Sequence, residues 1–135
     1  MTLLALDTSV AVPLLVRRHQ WHSAARSVVA GLNVCLTGHS QAETYSVLTR
    51  LPGDARVDPQ DAARLLSVGF ERPLLLDGAV IERLPAVLAE QQIAGGAVYD
   101  ALVGLATVGV DVTLLTRDRR AAATYTALGV EFAFA

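Results

Sequence analysis

The sequence contains no lysine, and all eleven of its basic residues are arginine. This absence removes several chemistries at once, because a P-loop lysine, a Schiff-base lysine and the lysine of a receiver-type phosphoacceptor site have no candidate. Cysteine occurs once, as Cys35, so no disulfide can close within the chain. Aromatic residues are scarce at 5% and charged residues make up 18%, against 53% hydrophobic residues. Disorder requires the reverse balance, low hydrophobicity with high charge, and is excluded. Long apolar runs are also missing: Asp, Glu, Arg or His interrupts each stretch before the roughly 18 to 20 residues of a membrane-spanning helix accumulate. No membrane association is expected. The N-terminal residues lack the basic segment, apolar stretch and small-residue cleavage site of a signal peptide, so the expected location is the cytoplasm.

A chain of 135 residues fits one domain, expected to span residues 1–135, and can bury about two thirds of its unfolded surface. The formal net charge of −2 argues against a broad nucleic-acid-binding surface. Any nucleic-acid role must be local.

Strand and helix signals alternate along the chain, without repeats or low-complexity segments. Leu3 to Leu6 is a short apolar strand leading through Asp7-Thr8-Ser9 into a helix with Pro13 in its first turn. A helix is expected over Trp21 to Leu32, a strand over Val34 to Thr37 and a helix from Gly38 to Arg50. Leu51-Pro52-Gly53-Asp54 is a break, followed by a helix over Asp58 to Ser67 and a buried strand at Leu74 to Leu76. Gly78 to Gln92 reads as a helix broken or bent near Pro85, and Ala97 to Val108 as another beyond Gly95-Gly96. A strand over Val112 to Thr116, a helix over Arg119 to Leu128 ended by Gly129, and a strand over Val130 to Phe134 complete the pattern. Strands separated by helices need crossovers, so the fold class is α/β, a doubly wound, mostly parallel sheet with helices on both faces.

Ligands of such sheets collect beyond the carboxyl ends of the strands, where Asp7 and Asp118 follow apolar runs. Glu43 lies in the helix carrying Ala42, Tyr45 and Leu48, and Asp100 opens the apolar helix beginning at Ala101. Singly, each acid has a plain structural explanation. Asp7 and Asp118 can cap helices, Asp100 can complement a helix dipole, and Glu43 can flank an apolar stripe. Together they are four acids entering apolar surroundings with no lysine and few nearby arginines to neutralise them. Crowded carboxylates repel one another and raise their own pKa values unless a divalent cation compensates them, and a hard-metal site accounts for all four.

The segments Leu4-Ala5-Leu6-Asp7-Thr8-Ser9, Glu43-Thr44-Tyr45-Ser46-Val47-Leu48, Tyr99-Asp100-Ala101-Leu102 and Leu115-Thr116-Arg117-Asp118-Arg119-Arg120 resemble the four acidic motifs of PIN-domain nucleases. The tail Tyr125-Thr126-Ala127-Leu128-Gly129-Val130 resembles the ending of VapC-type toxins, so the likeness spans essentially the whole chain. It implies a metal-dependent endoribonuclease that binds Mg²⁺ or Mn²⁺, hydrolyses RNA and inhibits translation and growth. It further implies a homodimer held inactive by a cognate VapB-like antitoxin. Carried over by position, Asp7, Glu43, Asp100 and Asp118 would form the catalytic and metal-binding pocket. Within it, Asp7 and Asp100 are separately expected to stand nearest the primary ion, with Glu43 and Asp118 completing it. Ser9 and Thr116 match positions where a hydroxyl supports that pocket, although a cap or strand-end role suits both equally.

An acidic pocket repels a polyanion, so cations are expected on its rim: Arg17, Arg18, Arg50, Arg117, Arg119 and Arg120 are the candidates, with solvated helix ends as the plainer reading. Trp21, Tyr45 and Tyr99 are expected to pack, although the two tyrosines are also of the type that stacks on bases. His19, His22, Cys35 and His39 match no closed zinc framework. Two rival functions remain. A phosphatase of the haloacid-dehalogenase type wants an Asp where this chain has Ser9, and a lysine it lacks. A catalytically inactive PIN-like module that docks an arginine-rich partner on its acids stays open.

Overall fold

Four short strands, β1 (Leu3–Leu6), β2 (Asn33–Leu36), β3 (Thr113–Thr116) and β4 (Phe132–Phe134), lie in the order β2-β1-β3-β4 with every neighbouring pair parallel. The computed structural model of the chain describes residues 3–135. Met1 and Thr2, part of the expected 1–135 domain, lie outside the described residues. Between the strands run α1 (Thr8–Leu15), α2 (His22–Val29), α3 (Gly38–Thr49), α4 (Pro59–Val68), α5 (Gly78–Glu82), α6 (Leu84–Glu90) and α7 (Ala97–Leu105). Helix α8 (Ala122–Ala127) joins β3 to β4. None of the described helices is long and apolar enough to cross a membrane.

Side chains alternate across each strand, and each face of the sheet is covered by its own helices. Leu4, Leu6, Val34, Leu36 and Leu115 pack with Val10 and Ala11 of α1 and Leu66 of α4. Ala5, Cys35 and Leu114 pack on the opposite face with Val103 of α7 and Tyr125 of α8. On this second face Gly104 lets α7 approach closely, since a Cβ there would stand 2.9 Å from Val130 Cγ2 and 3.0 Å from Tyr125 Cδ1. From β1 the chain crosses to β2 on one side, and β3 then pairs with the other side of β1. The strand order therefore reverses between β1 and β3, the switch point whose carboxyl end forms a crevice.

Several local expectations need correction. Leu74 to Leu76 is not a strand: Leu74 makes one isolated parallel bridge to Thr37, and Leu75 is 72% exposed. The bridge forms where β2 has already given way to the cap of α3, so no further ladder partners are on offer. Pro13 lies inside α1 rather than in its first turn, because Asp7 caps the helix early, with Thr8 as its first residue. The proline withholds a single hydrogen-bond donor and the helix closes two residues later, which limits the damage. Trp21 is not in the core. It is 45% exposed, with the Arg117 guanidinium 4.4 Å from its ring centroid. The expected break in the Gly78 to Gln92 segment falls at Arg83, which separates α5 from α6.

Candidate active site

Asp7 follows β1 directly, and its backbone N–H donates to Leu115 O of β3 at 3.1 Å, which fixes it at the switch point. Its side chain caps α1 by accepting the Ser9 N–H at 3.0 Å. The Ser9 hydroxyl also donates to Oδ1, and the Tyr125 hydroxyl donates to Oδ2 at 3.0 Å. Asp7 is 5% exposed. Burial raises its pKa above the usual aspartate value, and the hydrogen bonds from Ser9, Thr116 and Tyr125 oppose that rise.

Ser9 joins the two central strand ends. Its Oγ accepts the Arg117 N–H at 2.8 Å and lies 3.4 Å from Thr116 Oγ1, which in turn accepts the Asp118 N–H at 3.0 Å. The two hydroxyls of the sequence reading are therefore linked to both Asp7 and Asp118. Asp118 also caps the turn Arg119–Ala121 by accepting the Arg120 N–H at 3.0 Å, and it pairs with the Arg120 guanidinium at 3.2 Å.

The other two acids arrive on helices. Thr37 and Ser40 form a reciprocal capping box that starts α3 at the end of β2, and Glu43 of that helix accepts the Thr8 hydroxyl at 3.1 Å. Asp100 lies in the first turn of α7. Burial raises its pKa, and the carboxylates of Asp118, Asp7 and Glu43 raise it further, while Arg120 offsets part of the effect. No hydrogen bond holds the Asp100 carboxylate among the described residues, so like charge dominates its surroundings.

All four acids line one pocket of about 120 Å³, together with Thr8, Ser9, Val103 and Tyr125. The expected convergence is thus present as a shared cavity with no cationic residue in its wall. As the side chains stand, no three Asp, Glu, His or Cys groups among the described residues are close enough to share one ion. The donors themselves are all hard carboxylate oxygens, the type preferred by Mg²⁺ and Mn²⁺. Asp100 in particular is surrounded by like charge that a cation would neutralise.

Of the expected cationic rim, Arg120 alone is seen to touch one of the acids. Arg18 pairs with Asp54 at 3.4 Å and, with Arg17, lines a separate cavity beside Leu51 and Val57. Arg117 covers Trp21, and Arg119 covers Phe134 at 4.4 Å. Cys35 is buried in the core, its thiol pKa pushed up to about 11, chiefly by burial. Sequence reasoning missed Tyr125, quoted only as part of the tail. Its signal was faint, a tyrosine on an otherwise small and polar helix, Ala122–Ala127. Burial and the Asp7 carboxylate push its phenol pKa upward, so the hydroxyl keeps its proton and acts as a donor.

A parallel sheet of this order, with an acid pocket at its switch point, defines a doubly wound domain built for chemistry at the carboxyl edge. The PIN domain family model matches residues 4–126. The chain is 57% identical over 127 residues to Ribonuclease VapC27 from Mycobacterium tuberculosis, covering 94% of this chain and 93% of that protein. It is 44% identical over 132 residues to Ribonuclease VapC40 from Mycobacterium tuberculosis, covering 96% of each. The fold matches a chain in the crystal structure of VapBC2 from Rickettsia felis bound to a promoter DNA fragment, with a TM-score of 0.68, 12% identity and 99% coverage of both chains. The protein belongs to the PIN-domain family, among its VapC-type ribonucleases.

Proposed function

We propose that the protein, one nuclease domain through residues 1–135, is a metal-dependent endoribonuclease serving as the toxin of a VapBC-type toxin–antitoxin pair. It hydrolyses RNA phosphodiester bonds and thereby inhibits translation and growth. The observation that carries this reading is the single small pocket shared by Asp7, Glu43, Asp100 and Asp118 at the switch point of the sheet.

Asp7 and Asp100 would hold a Mg²⁺ or Mn²⁺ ion, with Glu43 and Asp118 completing the set through small rotations of their side chains. The ion supplies Lewis acidity toward a water and the phosphate oxygens, and charge compensation at the leaving oxygen. The protein's own contribution is preorganisation. Ser9 and Tyr125 hold the Asp7 carboxylate from both of its oxygens, and Ser9 ties it to the backbone that carries Asp118. Thr8 orients Glu43. Arg120, on the exposed side of Asp118, is placed to meet the substrate's phosphates at the pocket edge.

The partner is a VapB-like antitoxin. A guanidinium already pairs with Asp118 within the chain, and an arginine supplied by the antitoxin would neutralise the pocket in the same way. The inactive docking module is the second reading, and this same ion pair is the observation that favours it.

Purified protein incubated with total cellular RNA, with mapping of the ends produced, separates the two. Cleavage that requires Mg²⁺ or Mn²⁺ and disappears in Asp7→Asn is the expected result. Undiminished cleavage in excess EDTA would overturn metal dependence, and no cleavage with either ion would favour the docking module.

A further inference from the structure

Tyr99 departs most from its expected packing. It is 56% exposed, and its neighbour in the chain, Asp100, lines the acid pocket. Its ring lies nearly parallel to His39, with centroids 5.5 Å apart and planes 13° apart. His39 stands one helical turn before Glu43, with Nε2 3.4 Å from Glu43 Oε1. That contact lacks hydrogen-bond alignment, and the buried Nε2 has no hydrogen-bond partner among the described residues. The stacked pair thus bridges α3 and α7 beside the two helix-borne acids, His39 touching Glu43 and Tyr99 preceding Asp100 in the chain, although neither ring lines the acid pocket itself.

The remaining exposed aromatic rings are engaged differently. Trp21 and Phe134 each carry an arginine guanidinium over the ring. Tyr45 belongs to an apolar groove between α3 and α4, lined by Ala42, Ala63 and Leu66. Tyr99 is the exposed ring that adjoins the acids, held flat by a partner ring and with no hydrogen bond to its hydroxyl among the described residues. A flat ring beside a phosphate-processing pocket suits a nucleobase, because every base presents a π-face while its phosphate sits one bond chain away.

We propose that Tyr99, backed by His39, is the stacking platform for the base adjoining the scissile phosphate of single-stranded RNA. The proposal rests on the ribonuclease reading of the same site. Stacking of this kind acts on binding without naming the base, so its loss falls on KM rather than kcat.

The test uses a single-stranded oligoribonucleotide that the wild-type protein cleaves at a mapped position, together with versions carrying an abasic ribose on either side of the cut. Tyr99→Ala and Tyr99→Leu are expected to raise KM about ten-fold with kcat little changed, while Tyr99→Phe and Tyr99→Trp restore most of the affinity. On the oligonucleotide abasic at the stacked position, wild type and Tyr99→Ala should share one KM. A 2-aminopurine at that position should be quenched on rapid mixing with wild type and not with Tyr99→Ala. An unchanged KM in both Tyr99→Ala and Tyr99→Leu, or the same KM increase on every abasic substrate, would overturn the platform while leaving the ribonuclease intact. A wild-type protein that cleaves no RNA would remove both.

Discussion

The pocket has two halves of different construction. Asp7 and Asp118, at the ends of β1 and β3, are tied down by capping bonds, by Ser9 and Thr116 and by Tyr125 or Arg120. Glu43 and Asp100 project from α3 and α7, where Glu43 has the Thr8 hydroxyl and Asp100 has no hydrogen bond among the described residues and faces three carboxylates that Arg120 only partly offsets. The strand half is therefore preorganised by hydrogen bonds, and the helix half is free to adjust. Such a division lets a site keep its frame while its ligands close around an ion.

Breaking the strand half should have the largest effect. Asp7→Asn is expected to reduce cleavage by at least about 100-fold, since losing even an outer-shell partner of a metal site costs roughly 10- to 100-fold. A gel assay on the mapped oligonucleotide checks this, and near wild-type turnover would dismiss Asp7 as a ligand.

The helix half sharpens the contrast through thermal melts with and without Mn²⁺. At an ion concentration about 100-fold above its dissociation constant, wild type should gain roughly 2.7 kcal/mol, a shift of several degrees in Tm. Asp100→Asn should lose most of that gain while melting no lower than wild type in chelator, because it relieves repulsion from Asp118, Asp7 and Glu43. A wild-type Tm indifferent to millimolar Mn²⁺ would show that the acids form no useful metal site.

Tyr125→Phe tests the strand half more gently. It removes one buried donor from Asp7 Oδ2 and keeps the ring that packs against Gly104. Stability in chelator near neutral pH should fall by about 1 to 2 kcal/mol, as measured by urea unfolding. An unchanged midpoint would mean that this hydroxyl does not support the carboxylate.

The smallest effect is a pH dependence. The folded-state pKa of Asp100 is raised by burial and by its three acidic neighbours, so the folded protein holds this proton more tightly than the unfolded chain. Its stabilising contribution is complete below the ordinary aspartate pKa of about 3.9 and is lost as pH rises through the folded value. In chelator, the stability of Asp100→Asn relative to wild type should therefore climb across that window and level off above it. A difference that stays flat as pH rises above the ordinary aspartate pKa would contradict the upward shift that burial and the neighbouring carboxylates give Asp100.

Much of this was legible in the sequence, for identifiable reasons. Apolar runs ending in Asp7 and near Asp118 marked strand ends, and alternation with helices placed both at one edge of a parallel sheet. A single acid on a helix has many ordinary uses, so Glu43 and Asp100 were legible from their apolar helices and the absence of lysine only when taken with the other two acids. The family resemblance strengthened that reading. Leu74 to Leu76 misled because an apolar run does not say whether ladder partners remain beside it. Trp21 misled because its ring, left partly exposed, is covered by Arg117 from a distant part of the chain, and the link between Tyr125 and Asp7 is more distant still in sequence. Local pattern carries no such information.

Asp7 caps α1 as well as lining the pocket, whereas Asp100 lines the pocket without capping a helix, so the proposed function and the fold are joined at the first residue and separable at the second. Loss of a cap costs about 1 kcal/mol, whereas loss of a repelled carboxylate does not. On the proposed toxin reading, substitutions that silence the activity and keep the fold should be tolerated at Asp100, and at Asp7 only where the new residue, as asparagine does, still caps the helix. The silenced copies would remain folded, able to occupy an antitoxin without cutting anything.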